Sequence, residues 1–149
     1  MARAIEAKNK YTEGHTERVT LFALELGRCL TCSPKEIIAL HQGGILHDLG
    51  KIGVPDNILN KPGPFTPAEF EIIKQHPITG YNNCLSQKSL AQALPCIRWH
   101  HEKPNGTGYP DRLKGGEIPR LALILAVVDV YDALVSDRPY RQAMSQENA

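Results

Sequence analysis

Seven residues of the 149-residue chain have the types and spacing to work on one substrate: His15, His47, Asp48, His76, His100, His101 and Asp129. His15 extends the apolar stripe Val19–Phe22–Leu26 in steps of three or four, so it should point inward. His47-Asp48 is flanked by the apolar residues Ile45, Leu46 and Leu49. Asp129 lies inside LALILAVVDVYDAL, where a lone carboxylate is costly to bury unless it is paired or bound to a cation. Imidazoles mixed with carboxylates suit iron, manganese, nickel or zinc, and the lack of thiolates in the pattern speaks against a structural zinc site. So many donors exceed the needs of one tetrahedral ion, so two ions are expected. Such pairs activate a water and clamp an in-line displacement at phosphorus. Spacing alone leaves a second reading open, in which these are hydrogen-bonded core histidines.

Anion-binding candidates sit nearby. Lys51 follows His47-Asp48 within a turn, and Arg138 and Arg141 follow Asp129 in Ser-Asp-Arg-Pro-Tyr-Arg. Arginine forks bind phosphate bidentately, although an ordinary solvated charge is the simpler reading of each alone. The stretch from Asn105 to Pro110, with Tyr109 in it, can offer backbone N–H groups and an aromatic face to a nucleobase or phosphate.

Helices must position these groups. Residues 2–31 read as one long helix on the spacing of Val19, Phe22, Leu26 and Leu30. Ser33-Pro34-Lys35-Glu36 and Thr66-Pro67-Ala68-Glu69 are capping boxes with proline at the first helical position. The first of these opens a helix running to about His47–Asp48 and ended by Gly50. The second opens a helix to about residue 84, kinked at Pro77. A short turn over 55–59, a helix over 88–102 with an awkward Pro95, and an apolar helix from Pro119 to about Ser136 complete the set. Residues 103–118, rich in glycine and proline, form a long loop of the kind that often carries function. The expected class is all-α.

Composition narrows the partners. The net charge of +1, from 17 Lys+Arg against 16 Asp+Glu, excludes a strongly basic DNA- or RNA-binding surface. No apolar stretch approaches the roughly 20 residues of a membrane span, and MARAIEAKNKYTEG lacks the apolar segment of a signal peptide. A cytoplasmic domain is expected, and helical patterns cut off at both ends suggest one excised from a longer chain. Cys29-Leu30-Thr31-Cys32 reads as small apolar residues near a helix end, because Cys84 and Cys96 offer no matching spacing. His41 lies off the pattern and reads as structural.

Together these stretches resemble the HD-GYP family, a branch of the HD superfamily of metal-dependent phosphohydrolases. The resemblance runs from Tyr11 to Arg141 through His15-Thr16-Glu17-Arg18-Val19, His47-Asp48-Leu49-Gly50-Lys51, His76-Pro77, His100-His101-Glu102, Asn105-Gly106-Thr107-Gly108-Tyr109-Pro110, Asp129 to Leu134 and Asp137-Arg138-Pro139-Tyr140-Arg141. It implies an HD-domain bundle of five to seven helices over residues 1–149 with a long GYP loop. It also implies hydrolysis of cyclic di-GMP to pGpG or GMP at a di-metal centre, with iron favoured and manganese an alternative. His47, Asp48, His76, His100, His101 and Asp129 would be ligands, with Asp48 bridging. His15 fits a position used where a third metal binds, but Tyr11 stands where that subset has a glutamate. Lys51 and Asp132 would be catalytic, and these two, with Tyr109, Arg138 and Arg141, would contact substrate phosphates or the attacking water. Asn105 replaces a common aspartate, and the family's further C-terminal helices are missing, which is expected to loosen the fold or promote self-association. A GGDEF-domain protein is the implied partner of the GYP loop. The alternative is a silent domain that binds the dinucleotide or that partner without turnover.

Overall fold

The structure, a computed structural model, describes Lys8, residues 14–136, residues 143–145 and Asn148. Its regular elements there are all helical: α1 (His15–Cys29), α2 (Pro34–Leu46), a 3-10 turn (Leu49–Gly53), α3 (Asp56–Leu59), α4 (Pro67–Ile73), α5 (His76–Cys84), a 3-10 turn (Lys88–Leu90), α6 (Leu94–Trp99), a 3-10 turn (Gly115–Glu117) and α7 (Arg120–Val135). The expected all-α bundle is therefore present.

Both capping boxes form, with Ser33 and Thr66 accepting from the backbone N–H of Glu36 and Glu69. The single helix expected over residues 2–31 is interrupted at Gly14, and its part before Gly14 lies, Lys8 apart, outside the described residues. Gly14 adopts φ 69°, a left-handed conformation that suits glycine, and α1 starts at His15. The buried line of α1 is His15, Val19, Ala23 and Gly27, while Phe22 turns partly outward against Tyr131 of α7.

The expected kinked helix over 66–84 is in fact two helices. Pro77 has no N–H to give the carbonyl four residues back, that of Ile73, and its ring crowds that carbonyl. The helix stops at Ile73 and α5 begins at His76. Pro95 likewise opens α6 instead of interrupting a helix over 88–102. Gly50 also differs from its expected role, for it does not adopt the left-handed conformation of a helix stop. A Cβ there would lie 1.8 Å from the His76 carbonyl oxygen, so the turn after α2 can approach α5 only with glycine.

The main core joins α1, α2, α6 and α7 through Val19, Ala23, Leu40, Cys96, Ile124, Leu125 and Val128. A large aliphatic side chain such as Leu40, Ile97 or Leu125, each fully buried, contributes about 1.5–3 kcal/mol. All four cysteines are free; Cys96 packs in this core and Cys32 against it, so Cys29–Cys32 makes no pair. His41 is exposed. No helix among the described residues is long and apolar enough to cross a membrane.

Candidate metal centre

The C-terminus of α2 delivers His47 and Asp48, the break before α5 delivers His76, and the end of α6 delivers His100 and His101. α1 and α7 add His15 and Asp129 from the other side. Three of the imidazoles are oriented by backbone carbonyls. His47 Nδ1 lies 2.7 Å from the Gly44 oxygen, His76 Nδ1 2.8 Å from that of Ile73, and His100 Nδ1 3.1 Å from those of Cys96 and Ile97. A carbonyl only accepts, so each Nδ1 donates and each neutral ring presents a bare Nε2. The Ile73 carbonyl is the one that Pro77 leaves without a helical donor. The helix break thus supplies the acceptor that aims His76.

Two ligand clusters result. Donor atoms of His76, His100 and His101 lie within 4.8 Å of one another, and so do those of His15, His47 and Asp129. Asp48 stands between them. Its Oδ1 is 3.4 Å from His76 Nε2, and its Oδ2 is 3.5 Å from His47 Nε2 and 3.9 Å from His15 Nε2. Lys51 Nζ donates to the same Oδ2 at 2.6 Å. All the residues expected as ligands are therefore brought together.

The donors themselves show whether a cation fits. His47 Nε2 is buried and has no hydrogen-bond partner. His76 and His100 turn their Nε2 atoms toward each other at 3.4 Å, and with both Nδ1 atoms donating to carbonyls neither has a proton to share. A cation satisfies these lone pairs, and the residues fit one. Protonation agrees. Burial pushes His76 and His101 down to about 3 and His100 well below its ordinary value, so all three rings are neutral near neutral pH, the form in which an imidazole can bind a cation. Burial would also raise the carboxyl of Asp48, but Lys51 and the surrounding imidazoles outweigh it and hold the group well below the usual range. Asp129 is likewise lowered, its burial outweighed chiefly by the hydrogen bond with His15.

His15 is different. Its Nδ1 lies 2.7 Å from Asp132 Oδ2 and its Nε2 3.3 Å from Asp129 Oδ1. Burial lowers its pKa, but the two carboxylates prevail and raise it to about 9. Asp132, expected to meet substrate, is wholly buried. It accepts from His15 and, through both oxygens, from Arg18, at 2.6 Å from Nε and 3.1 Å from Nη2. This geometry holds His15 and leaves Asp132 no open face. Arg138 and Arg141 lie outside the described residues.

Tyr109 stacks on His101, with ring centroids 4.7 Å apart, so the GYP loop closes over one cluster. Sequence reasoning assigned no role to two residues that organise this region. Arg18 lies one turn after His15, a spacing that could have paired it with the helix acids. Glu102, beside the histidine pair, is buried and accepts the backbone N–H groups of Asp111, Arg112 and Leu113, which fixes the loop. Nothing short of the fold shows where that carboxylate points. Between α4 and the loop opens a cleft of ≈ 530 Å³ whose lining includes Phe70, Lys74, Lys103, Tyr109 and Arg112.

A helical bundle that gathers imidazoles and carboxylates into two clusters about a shared aspartate has the donor set of a candidate two-cluster metal centre. Comparison with known proteins agrees. The HD domain family matches residues 1–149, and the chain belongs to it, in the HD-GYP branch. It is 42% identical to a cyclic di-GMP phosphodiesterase response regulator of Xanthomonas campestris, over all of this chain and 40% of that protein. It is 41% identical to a cyclic di-GMP phosphodiesterase of Thermotoga maritima, over 97% of this chain and 40% of that one. A 3'3'-cGAMP-specific phosphodiesterase of Vibrio cholerae is 38% identical, over 99% and 32% respectively. Among solved structures, the HD-GYP protein Bd1817 of Bdellovibrio bacteriovorus superposes with a TM-score of 0.71 at 28% identity, covering 82% of this chain and 40% of that chain. The chain thus spans about 40% of the length of the first of these relatives.

Proposed function

We propose that this domain hydrolyses a phosphodiester bond of cyclic di-GMP, giving pGpG or GMP, in bacterial second-messenger signalling in the cytoplasm. The observation that carries the reading is Asp48, whose two oxygens face different ligand clusters. His76, His100 and His101 would hold one divalent ion, His15, His47 and Asp129 a second, and Asp48 would bridge them, with iron favoured over manganese. Ions held there supply an activated water and polarise the scissile phosphate.

The protein's own groups divide the remaining work. Lys51 fixes Asp48 and brings a positive charge to the edge of the centre, where it can neutralise a phosphate oxygen. Asp132 and Arg18 hold the His15 ring, a role that replaces the substrate contact implied by resemblance. Tyr109 offers a ring beside His101 against which the substrate can pack. Arg138 and Arg141 are assigned to substrate phosphates on the resemblance alone. The exposed loop residues Asn105 and Thr107 are where a GGDEF-type partner would dock.

The test is elemental analysis of protein purified without oxygen, with cyclic di-GMP turnover measured on the same sample. About two transition-metal ions per chain and hydrolysis are expected, and Asp48→Ala should lose both. Fewer than about one ion per chain after reconstitution, or full metal-dependent turnover by Asp48→Ala, overturns the assignment.

A further inference from the structure

The cleft between α4 and the 103–112 loop adjoins the metal centre through Tyr109, yet none of its basic groups has a role so far. Its volume of ≈ 530 Å³ falls in the range of small-ligand sites. Phe70, exposed and edge-on to Tyr109 at 6.1 Å, gives it an aromatic side. Of its cations, Lys74 is occupied by Glu71 at 2.5 Å and by the Phe70 ring. The guanidinium of Arg112 has no ion-pair partner among the described residues.

Arg112 is also placed at a cost. Its φ of 57° is a left-handed conformation that a side chain disfavours. The backbone is kept there by buried Glu102, which accepts the Arg112 N–H at 3.0 Å. The fold therefore holds an unspent guanidinium at the lip of an aromatic-sided cleft, one ring away from the metal ligand His101. Strain maintained by surrounding structure at a ligand-sized opening is a mark of binding.

We infer that this cleft seats one guanine of the substrate and that Arg112 is the specificity-determining residue that reads it. The inference rests on the cyclic dinucleotide reading above. With the phosphate held at the metal centre, a base of the same nucleotide can reach across Tyr109. A guanidinium fork matches the O6 and N7 acceptors of guanine, whereas adenine places an amino donor where O6 would be. A phosphate contact would also satisfy Arg112, and lysine separates the two, because it keeps the charge and loses the fork.

The experiment compares wild-type protein with Arg112→Gly, which relieves the backbone, and Arg112→Lys. Calorimetric binding of GMP and of AMP is measured alongside kcat/KM for cyclic di-GMP and cyclic di-AMP, with a thermal melt to confirm folding. Wild type should prefer GMP at least about tenfold, and both variants should lose about tenfold of that preference. The inference is overturned if wild type shows no preference, if Arg112→Gly keeps it, or if Arg112→Lys restores it. Should Arg112-dependent GMP preference appear without hydrolysis of any dinucleotide, the guanine site stands and the phosphodiesterase reading fails. Should cyclic di-GMP be turned over with a preference indifferent to Arg112, the phosphodiesterase reading stands and the guanine site fails.

Discussion

His47, His76, His100 and His15 each have one nitrogen committed to the protein and the other aimed at the cluster interior, and that division governs how the site responds to protons. In chelator-treated protein His15 titrates near 9 when folded against 6.5 ordinarily. Its contribution is therefore complete below pH 6.5 and disappears as the pH rises through 9. By the size of the shift this amounts to at most roughly 3 kcal/mol. His76 and His101 act in the opposite direction. The unfolded chain protonates them near 6.5 but the folded one only near 3, so stability falls as the pH drops between those values. We expect urea unfolding of metal-free protein to show a stability maximum near neutrality with losses on both sides. A flat profile from pH 5 to 9 would contradict these environments. The spacing marks the seven residues as candidates but leaves hydrogen-bonded core histidines open as a second reading, and it is the resemblance of the ordered motifs that assigns the ligand set. The roles of Asp132 and Arg18 were not legible in the sequence, since they depend on α1 and α7 lying side by side.

Helix boundaries do more here than connect. The start of α5 at His76 follows from Pro77, which leaves the Ile73 carbonyl for the imidazole. Pro77→Ala restores an N–H that competes for this carbonyl. We expect metal affinity, read by competition with a fluorescent chelator, to fall about 10–100-fold, as when an outer partner of a ligand is lost. Gly50 tests the neighbouring contact. Gly50→Ala places a methyl group 1.8 Å from the His76 oxygen, and backbone must move to accept it. A loss of about 3 kcal/mol in urea unfolding is expected. The capping boxes and the last helix were readable because their causes are local. The split at Ile73 was half readable: the proline announced a disturbance, but whether a helix bends or breaks there depends on what takes the freed carbonyl.

For the molecule as a whole, the buried and unpartnered His47 Nε2 ties stability to occupancy. An ion bound only by the folded state stabilises it by about 2.7 kcal/mol at a hundred times its Kd. Adding manganese or ferrous iron to chelator-treated protein should therefore raise Tm by several degrees, measured by differential scanning calorimetry, whereas an unchanged Tm would mean the clusters hold no ion. The contact between His15 and Asp132 spans 117 positions of the chain, while that between His76 and His100 spans only 24. The time order of assembly follows from this difference. A chain emerging from the ribosome can gather the short-range cluster while α7 is still being made, but the cluster of His15, His47 and Asp129 must wait until α7 closes on α1. On the proposed function, reactivity toward phosphodiesters would then arrive last, only once α7 has closed on α1.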